Sequence, residues 1–556
     1  MPPEGNAMEP GGSPPPSPPP EAGGSAGTAW YRRTPVLGGV ALVVVATLVA
    51  IGFTVFRDDA NPGNGAPTTS TSPGIMDAQV TAPTTPPAKI CGNVKALSGP
   101  GTAPAGAVVV STSANLNALT AANPPGTTFW LSPGTHRLGS APFAQVIPKD
   151  GNTYVGAPGA ILDGGRQNRY AFTGYATSVT LKNLTIQNFG PVKTNNDEGV
   201  VNHDASGRWT VVGNTIQDNA GAGLMVGDHN VVRGNCLRDN GQYGFSAYNP
   251  GKVAGITIEG NEIAGNNTDD WETLKGGCGC SGGGKFWEVT GAIVRGNWIH
   301  DNHSTGMWAD TNNTGFVIEG NYISGNLAEG LVYETSYNAG IRGNSFVRNG
   351  LGKGPLNNGF PTPALYISES GSDPRVAGVF NQTFEISNNV FTDNWSGLIL
   401  WENADRFAGS AANTSTGSGT LVNPSVVTAK TCNATTIKEQ PYKSDCRWKT
   451  QNVRVHDNTF NLAPEKVSPT CSFRNGCGFN GLFSNWGTFP AWSPYTKSAV
   501  QDAITYHQGN RFFNNTYAGP WNFIVHEQGN RVNWAAWQGA PYGQDPDSVV
   551  KVLGER

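Results

Sequence analysis

Two acidic side chains stand out by type and spacing. Asp310 closes the segment Gly306-Met307-Trp308-Ala309-Asp310, and Glu334 closes Gly330-Leu331-Val332-Tyr333-Glu334, the same pattern one repeat later. In both, and in Ala364-Leu365-Tyr366-Ile367-Ser368 and Gly397-Leu398-Ile399-Leu400-Trp401, the second and fourth positions are apolar. If each segment is a β-strand, alternate side chains point to opposite faces, so the third and fifth positions face outward. The two acids then share one outer surface, with backbones about 4.8 Å apart on neighbouring strands. Like charges stacked in this way repel, and neither strand holds a basic residue beside its acid, so stability gives little reason for the pair. Chemistry gives one. Adjacent carboxyls can raise one pKa and divide into a proton donor and a base or nucleophile, as glycosidic cleavage requires; separations of about 5–5.5 Å suit retention and about 6.5–9.5 Å inversion. A solvated acidic ladder or a calcium site is the plainer reading of the same residues.

Other residues gather around this pair. A Gly-rich insertion, WETLKGGCGCSGGGKFWEV, interrupts the preceding coil, should form a loop beside this face, and carries Glu272 and Lys285. Lys285 lies 12 residues before Asn297 and Asp310 lies 11 before Asn321, a similar offset that brings the lysine near the carboxyls. There it could hold a substrate carboxylate, neutralise charge or act as a base; a solvated loop lysine is the alternative. Glu272, at the root of the insertion, is a weaker candidate. His303, with His300 just before it, precedes the Trp308 strand and is a candidate proton carrier, although a lone histidine is more often a turn residue. Glu369 and Glu402, on the following repeats, would widen the acidic site. Trp287, Trp308, Tyr366 and Trp401 would offer ring faces on which sugars stack. Cys278-Gly-Cys280 lacks the partners of a metal site, and no metal site is assigned.

The elements that position these groups are repeats. Rows such as VVGNTIQDNAGAGLMV, VVRGNCLRDNGQYGFSA, AIVRGNWIHDNHSTGMWA and FVIEGNYISGNLAEGLVY align on an Asn column at Asn214, Asn235, Asn297, Asn321 and Asn344. Their spacings, 235 − 214 = 21, 321 − 297 = 24 and 344 − 321 = 23, with short β-branched runs and Asn/Gly turns, predict a solenoid of strands. One coil cannot bury its own apolar face, whereas stacked coils share a core, so Ile216, Leu237, Ile263, Ile299, Ile323, Phe346 and Phe391 should form one inward column. A second Asn column (Asn219, Asn240, Asn302, Asn326, Asn394) reads as turn chemistry, able to adopt left-handed backbone and to hydrogen-bond its copies.

These rows, and the opening stretch TTFWLSPGTHRLGSAPFAQVIPKDGNTYVGAPGAILDGG, resemble the pectate-lyase-like superfamily, specifically the β-helix repeat domains of bacterial surface and secreted proteins. The resemblance runs from Cys91 to about residue 460. It implies an all-β fold, a right-handed single-stranded parallel β-helix, and leaves the reaction open, since such folds host lyases, hydrolases, epimerases and adhesins.

The remaining chain divides by composition. Residues 1–34 form a Pro/Gly-rich tail, and 35–56 an uncharged run, PVLGGVALVVVATLVAIGFTVF, long enough to cross a bilayer. Arg32 and Arg33 before it place the N-terminus in the cytoplasm. Residues 57–90 read as a Thr/Pro/Ser linker, and 91–556 as the β-helix domain with loop insertions and a less regular end. All eight cysteines follow the apolar run, which suits an oxidising compartment, and Cys432 with Cys446 and Cys471 with Cys477 could close short loops. A net charge of −4 lacks the basic excess of a nucleic-acid binder. The expectation is a membrane-tethered, extracytoplasmic carbohydrate-active enzyme without an obligate cofactor, calcium excepted, acting on a polysaccharide. Glycoside hydrolysis leads, with a polysaccharide lyase or C5-epimerase of uronate glycans, or a non-catalytic binder, as alternatives; oligomeric state is not legible.

Overall fold

The structure, a computed structural model, describes residues 80–190, 199–249, 252–274, 281–357, 360–376, 384–407, 410, 427–428, 430–485, 487 and 490–552. The predicted membrane span and the Cys278-Gly-Cys280 segment lie outside them. Among the described residues, no helix is long and apolar enough to cross a membrane.

Each repeat makes one coil of three short strands, and successive coils stack in parallel into three long sheets. The coil of Asp310 is typical: Ile293–Arg295 in sheet one, Trp298–His300 in sheet two and Met307–Asp310 in sheet three. Sheet one runs from Val108–Val110 to Arg511–Phe513, sheet two from Gly134–His136 to Val549–Lys551, and sheet three from Leu224–Met225 to Asn522–His526, with an antiparallel Arg531–Val532 strand at its end. The coils thus continue well past residue 460 and reach the end of the described chain.

The predicted inward column is present in exact register. Ile216, Leu237, Ile263, Ile299, Ile323, Phe346 and Phe391 pair rung to rung in sheet two, and all are fully buried. Phe460 and Tyr517 extend it, with ring centroids 4.6–4.9 Å apart from Phe346 onward.

Both asparagine columns are hydrogen-bonded ladders buried at the corners. Asn297 donates its backbone N–H and its side-chain amide to Oδ1 of Asn321, at 3.0 and 2.9 Å, and the side chain also reaches the carbonyl of Ile258. The same link recurs from Asn302 to Asn326 on the second ladder. The left-handed conformation expected of the second column belongs instead to the residue before it: Asp218, Asp239, Asp301 and Asp393 have φ between 51° and 54°, and Gly325 has φ 65°. That residue turns the corner, and the turn drives the following asparagine inward, where its amide serves backbone groups that no strand satisfies.

The predicted boundary at Cys91 is corrected, since residues from Val80 already pack against the coils. The segment lies along sheet two: Ser345 donates to the carbonyl of Pro83 at 2.5 Å, the amides of Ile90 and Cys91 donate to Glu262 at 2.6 and 2.8 Å, and Cys91 is disulfide-bonded to Cys236. The two short loops expected to be closed by cystines are so closed, Cys432–Cys446 and Cys471–Cys477.

Replacing Asn321 with Ala deprives two buried donors of Asn297 of their acceptor. It should lower the unfolding free energy by about 2–4 kcal/mol, read as a fall in the urea midpoint with an unchanged slope; an unaltered midpoint would remove the ladder from the account of stability.

Candidate active site

Strand parity on sheet three delivers the acidic pair. Met307, Ala309, Leu331 and Tyr333 are wholly buried in the core, which turns Trp308, Asp310 and Glu334 outward. Trp308 pairs with Val332 and Ala309 with Tyr333, a register that sets Asp310 beside Glu334; the amide of Thr311 then donates to the carbonyl of Glu334 at 3.1 Å. The row continues in both directions, to Trp287 one rung before Asp310, and to Ser368 and Trp401 after Glu334.

The repulsion expected within the pair is met by two cations from elsewhere in the chain. Lys285, in register with Trp308, places Nζ 2.8 Å from Oδ2 of Asp310 and 3.9 Å from the centroid of the Trp308 ring. Its counting offset in the sequence leads to this contact. Arg406 was not legible from the repeat because it follows the Ser396–Asn403 strand in an irregular segment; its Nη1 binds Oε1 of Glu334 and, at 3.0 Å, Oε2 of Glu369. The Trp308 indole donates to the other oxygen of Glu334 at 3.0 Å, and Thr311 Oγ1 donates to Asp310 at 2.9 Å.

These groups are sheltered: side-chain exposure is 8% for Lys285, 19% for Asp310, 11% for Glu334, 15% for Arg406 and 1% for Glu369. Burial is the largest influence on Glu334 and pushes its pKa up; Arg406 opposes this, while Asp310 and Glu369 reinforce it, and the outcome is a carboxyl above its usual range. Three carboxyls, of Asp310, Glu334 and Glu369, share two basic side chains, Lys285 and Arg406. The arrangement therefore sets a carboxyl of raised pKa one rung from a lysine-bound carboxyl.

Residues 166–285 and 198–380 match the family model for a right handed beta helix region. The protein is a right-handed parallel β-helix. Similar solved structures include the A-module of a mannuronan C-5 epimerase from Azotobacter vinelandii, at 13% identity over 64% of this chain and 92% of that one, TM-score 0.38. Others are the catalytic unit of a GH87 α-1,3-glucanase from Streptomyces thermodiastaticus, 13% identical over 82% and 71%, TM-score 0.43, and the pectate lyase Pel9A, 13% identical over 58% and 84%, TM-score 0.35. Likenesses this distant concern the fold alone, and no chemistry is taken from them. No curated protein matches the chain.

The β-helix gathers some of the other sequence candidates and scatters the rest. Trp287 stands beside Asp310 and packs on Tyr248, ring centroids 5.1 Å apart. Tyr366 is half-buried on the row of Trp308. Trp401, expected to be an open platform, is only 8% exposed, because Phe360 and Phe483 close over it. Glu369, also expected to widen an open acidic site, is sealed inside the network by Arg406, by Ser368 at 2.5 Å and by the amide of Asn403. Glu402 leaves the site altogether: it is 1% exposed, bound to Arg447, and accepts from Thr450 and Gln508 at 3.1 and 2.7 Å. Glu272 accepts from Ser281 at 2.5 Å and sits near Glu329 rather than in contact with the pair.

His303 is exposed in the turn after Asn302, where its charge acts on Asp239; among the described residues no contact joins it to Asp310 or Glu334. His300 is on sheet two, bound to Glu262 and Asp301 at 3.3 and 2.8 Å. The reason is geometric, since a turn of the coil separates both histidines from the face of sheet three. Among the described residues, no group of three or more His, Cys, Asp or Glu side chains is placed to hold a metal ion.

A carboxyl whose folded-state pKa is raised supports the fold fully at pH below its ordinary value, and that support is lost as pH rises through the folded value. Glu334→Gln, which stays neutral, should therefore melt higher than the parent above that pH and the two should converge in acid. Melting curves that stayed parallel across pH would contradict the raised pKa.

Proposed function

We propose that the protein is an extracytoplasmic, membrane-tethered enzyme that cleaves glycosidic bonds in an envelope or extracellular polysaccharide. The observation that carries this reading is the placing of Glu334, a carboxyl whose pKa burial raises, beside Asp310 on adjacent rungs of one outer surface. Glu334 is the general acid, donating to the glycosidic oxygen as the bond to the anomeric carbon breaks. Asp310, ion-paired with Lys285, attacks the anomeric carbon as the nucleophile; once the leaving sugar has departed, Glu334 takes a proton from the incoming water, whose oxygen displaces Asp310 from that carbon. The rung spacing of about 4.8 Å is closer to the separation of retaining than of inverting enzymes, which favours the covalent route. Trp308 orients Glu334 through its indole N–H, and Trp287 and Tyr366 border the cleft with aromatic surface.

The charge pattern favours hydrolysis over elimination or epimerisation of uronates. Lys285 and Arg406, the cations next to the pair, are both engaged by carboxyls of the protein. A uronate would have to displace one of them, and removal of its α-proton needs a free base. His303 is turned away. The three disulfides of the described chain and the uncharged run at 35–56 support a tethered location outside the cytoplasm.

On a panel of neutral and acidic cell-wall glycans, the protein should generate new reducing ends without the near-UV absorbance of an unsaturated uronide. Asp310→Asn and Glu334→Gln should each reduce kcat/KM by about 10²–10⁴-fold, and proton NMR of the first products should show retained anomeric configuration. An intact glycan would make the protein a binder, unsaturated products would make it a lyase, and undiminished turnover in both variants would remove the pair from the mechanism.

A further inference from the structure

Arg406 is unusual among the groups that contact the pair because it does not come from a rung of the solenoid. It follows the Ser396–Asn403 strand and begins an excursion that returns to sheet one only at Val453–His456. Ala404, two residues before it, and Phe407, the next residue, are fixed in a separate small core, buried with Val427, Cys432, Ile437, Cys446, Tyr495 and Val500. Phe407 packs on Tyr495 and Trp492, with ring centroids 5.0 and 5.7 Å away.

The base of this excursion is tied down as well. The Cys432–Cys446 disulfide closes a short loop in its returning part, and the next residue, Arg447, is 1% exposed, bound to Glu402 and stacked over Tyr495 at 4.8 Å. Arg447 also donates to the carbonyl of Ala404, two residues before Arg406. A continuous set of contacts thus runs from the disulfide to the guanidinium at Glu334.

Stability does not account for this placement. Arg406 brings a charge into a sheltered site whose carboxyls come from the solenoid, and its buried Nε has no hydrogen-bond partner. A buried cation with an unmet donor is a poor stabilising device compared with apolar packing. Its one consequence for the site is electrostatic, since a positive charge at Glu334 and Glu369 works against the burial and repulsion that retain the proton.

We infer that Arg406 is a positioning residue that sets how readily Glu334 releases its proton, and that the packing of Ala404 and Phe407, held by Arg447 next to the Cys432–Cys446 disulfide, delivers it. This rests on Glu334 being the acid of the proposed reaction, but its central measurement does not need turnover. Without Arg406, burial acts unopposed and Glu334 binds its proton more tightly. With Arg406 in place, the acid gives up its proton to the glycosidic oxygen more readily.

The test is an infrared titration of the carboxyl band assigned to Glu334 by difference against Glu334→Gln, on the full chain. Arg406→Met should raise the proton affinity at least tenfold, a shift of about one pH unit or more. If an active glycan is in hand, the alkaline limb of kcat/KM should move up with it. Arg406→Lys, which keeps a charge but loses the fork between two carboxyls, should shift less and serves if the Met variant does not fold. Cys432→Ser/Cys446→Ser should move the titration in the same direction as Arg406→Met, whereas Cys471→Ser/Cys477→Ser, on a disulfide remote from these contacts, should leave it in place. An unmoved titration in Arg406→Met overturns the role of the arginine; a shift in that variant without one in Cys432→Ser/Cys446→Ser, or an equal shift in the control pair, overturns the role of the excursion. Failure to find any glycan substrate would count against the hydrolase reading and leave the titration decisive for this one.

Discussion

Everything in this molecule depends on coils being stacked in exact register, one rung above another. Parallel strands pair at a single spacing, and the period of two along a strand means that a slip of one residue would send every outward side chain into the core. The buried asparagine ladders guard against that slip. Each amide is bound to the matching residue of the adjacent coil, so a shifted coil would leave several buried donors unmet at once. The apolar column beside them adds a second restraint, because its stacked rings fit only when the same position of each coil faces inward.

Register converts a one-dimensional repeat into a site. Trp287, Asp310, Glu334, Ser368 and Trp401 are far apart in sequence but become consecutive steps of one row. The backbone supplies the spacing of the carboxyls with a precision that a loop would not provide, and the site inherits the rigidity of the sheet. A row of like-charged groups is costly in isolation. Here it is stabilised by cations from the preceding rung and from the segment after the Ser396–Asn403 strand.

That excursion has a small core and a disulfide of its own, so the solenoid and its decoration divide the labour. The repeating part sets distances, and the irregular part sets charge. Variation in such excursions can alter the electrostatics of a site without disturbing the rungs that space it, a separation that the repeating architecture makes available. The segment from Val80 to Cys91 adds a lateral tie across sheet two, joined to the rungs by Glu262, Ser345 and the disulfide to Cys236.

Most of the fold was legible from residue types alone, because periodicity is a local property: the inward column, the Asn corners, the outward parity of Asp310 and Glu334, and the contact of Lys285 follow from counting along the chain. The left-handed corner residue was displaced by one position, since both Asp and Asn tolerate that conformation and only burial distinguishes which of them turns inward. What only the tertiary structure decided was whatever comes from outside the repeat. Arg406, the closure of Phe360 over Trp401, the capture of Glu402 by Arg447 and the separation of His303 from the pair all depend on long-range packing of irregular segments, for which no period exists to count. The sequence by itself determined which side chains share a surface; the folded chain determined which of them are reachable, charged or neutralised, because exposure and electrostatics depend on every neighbour in space.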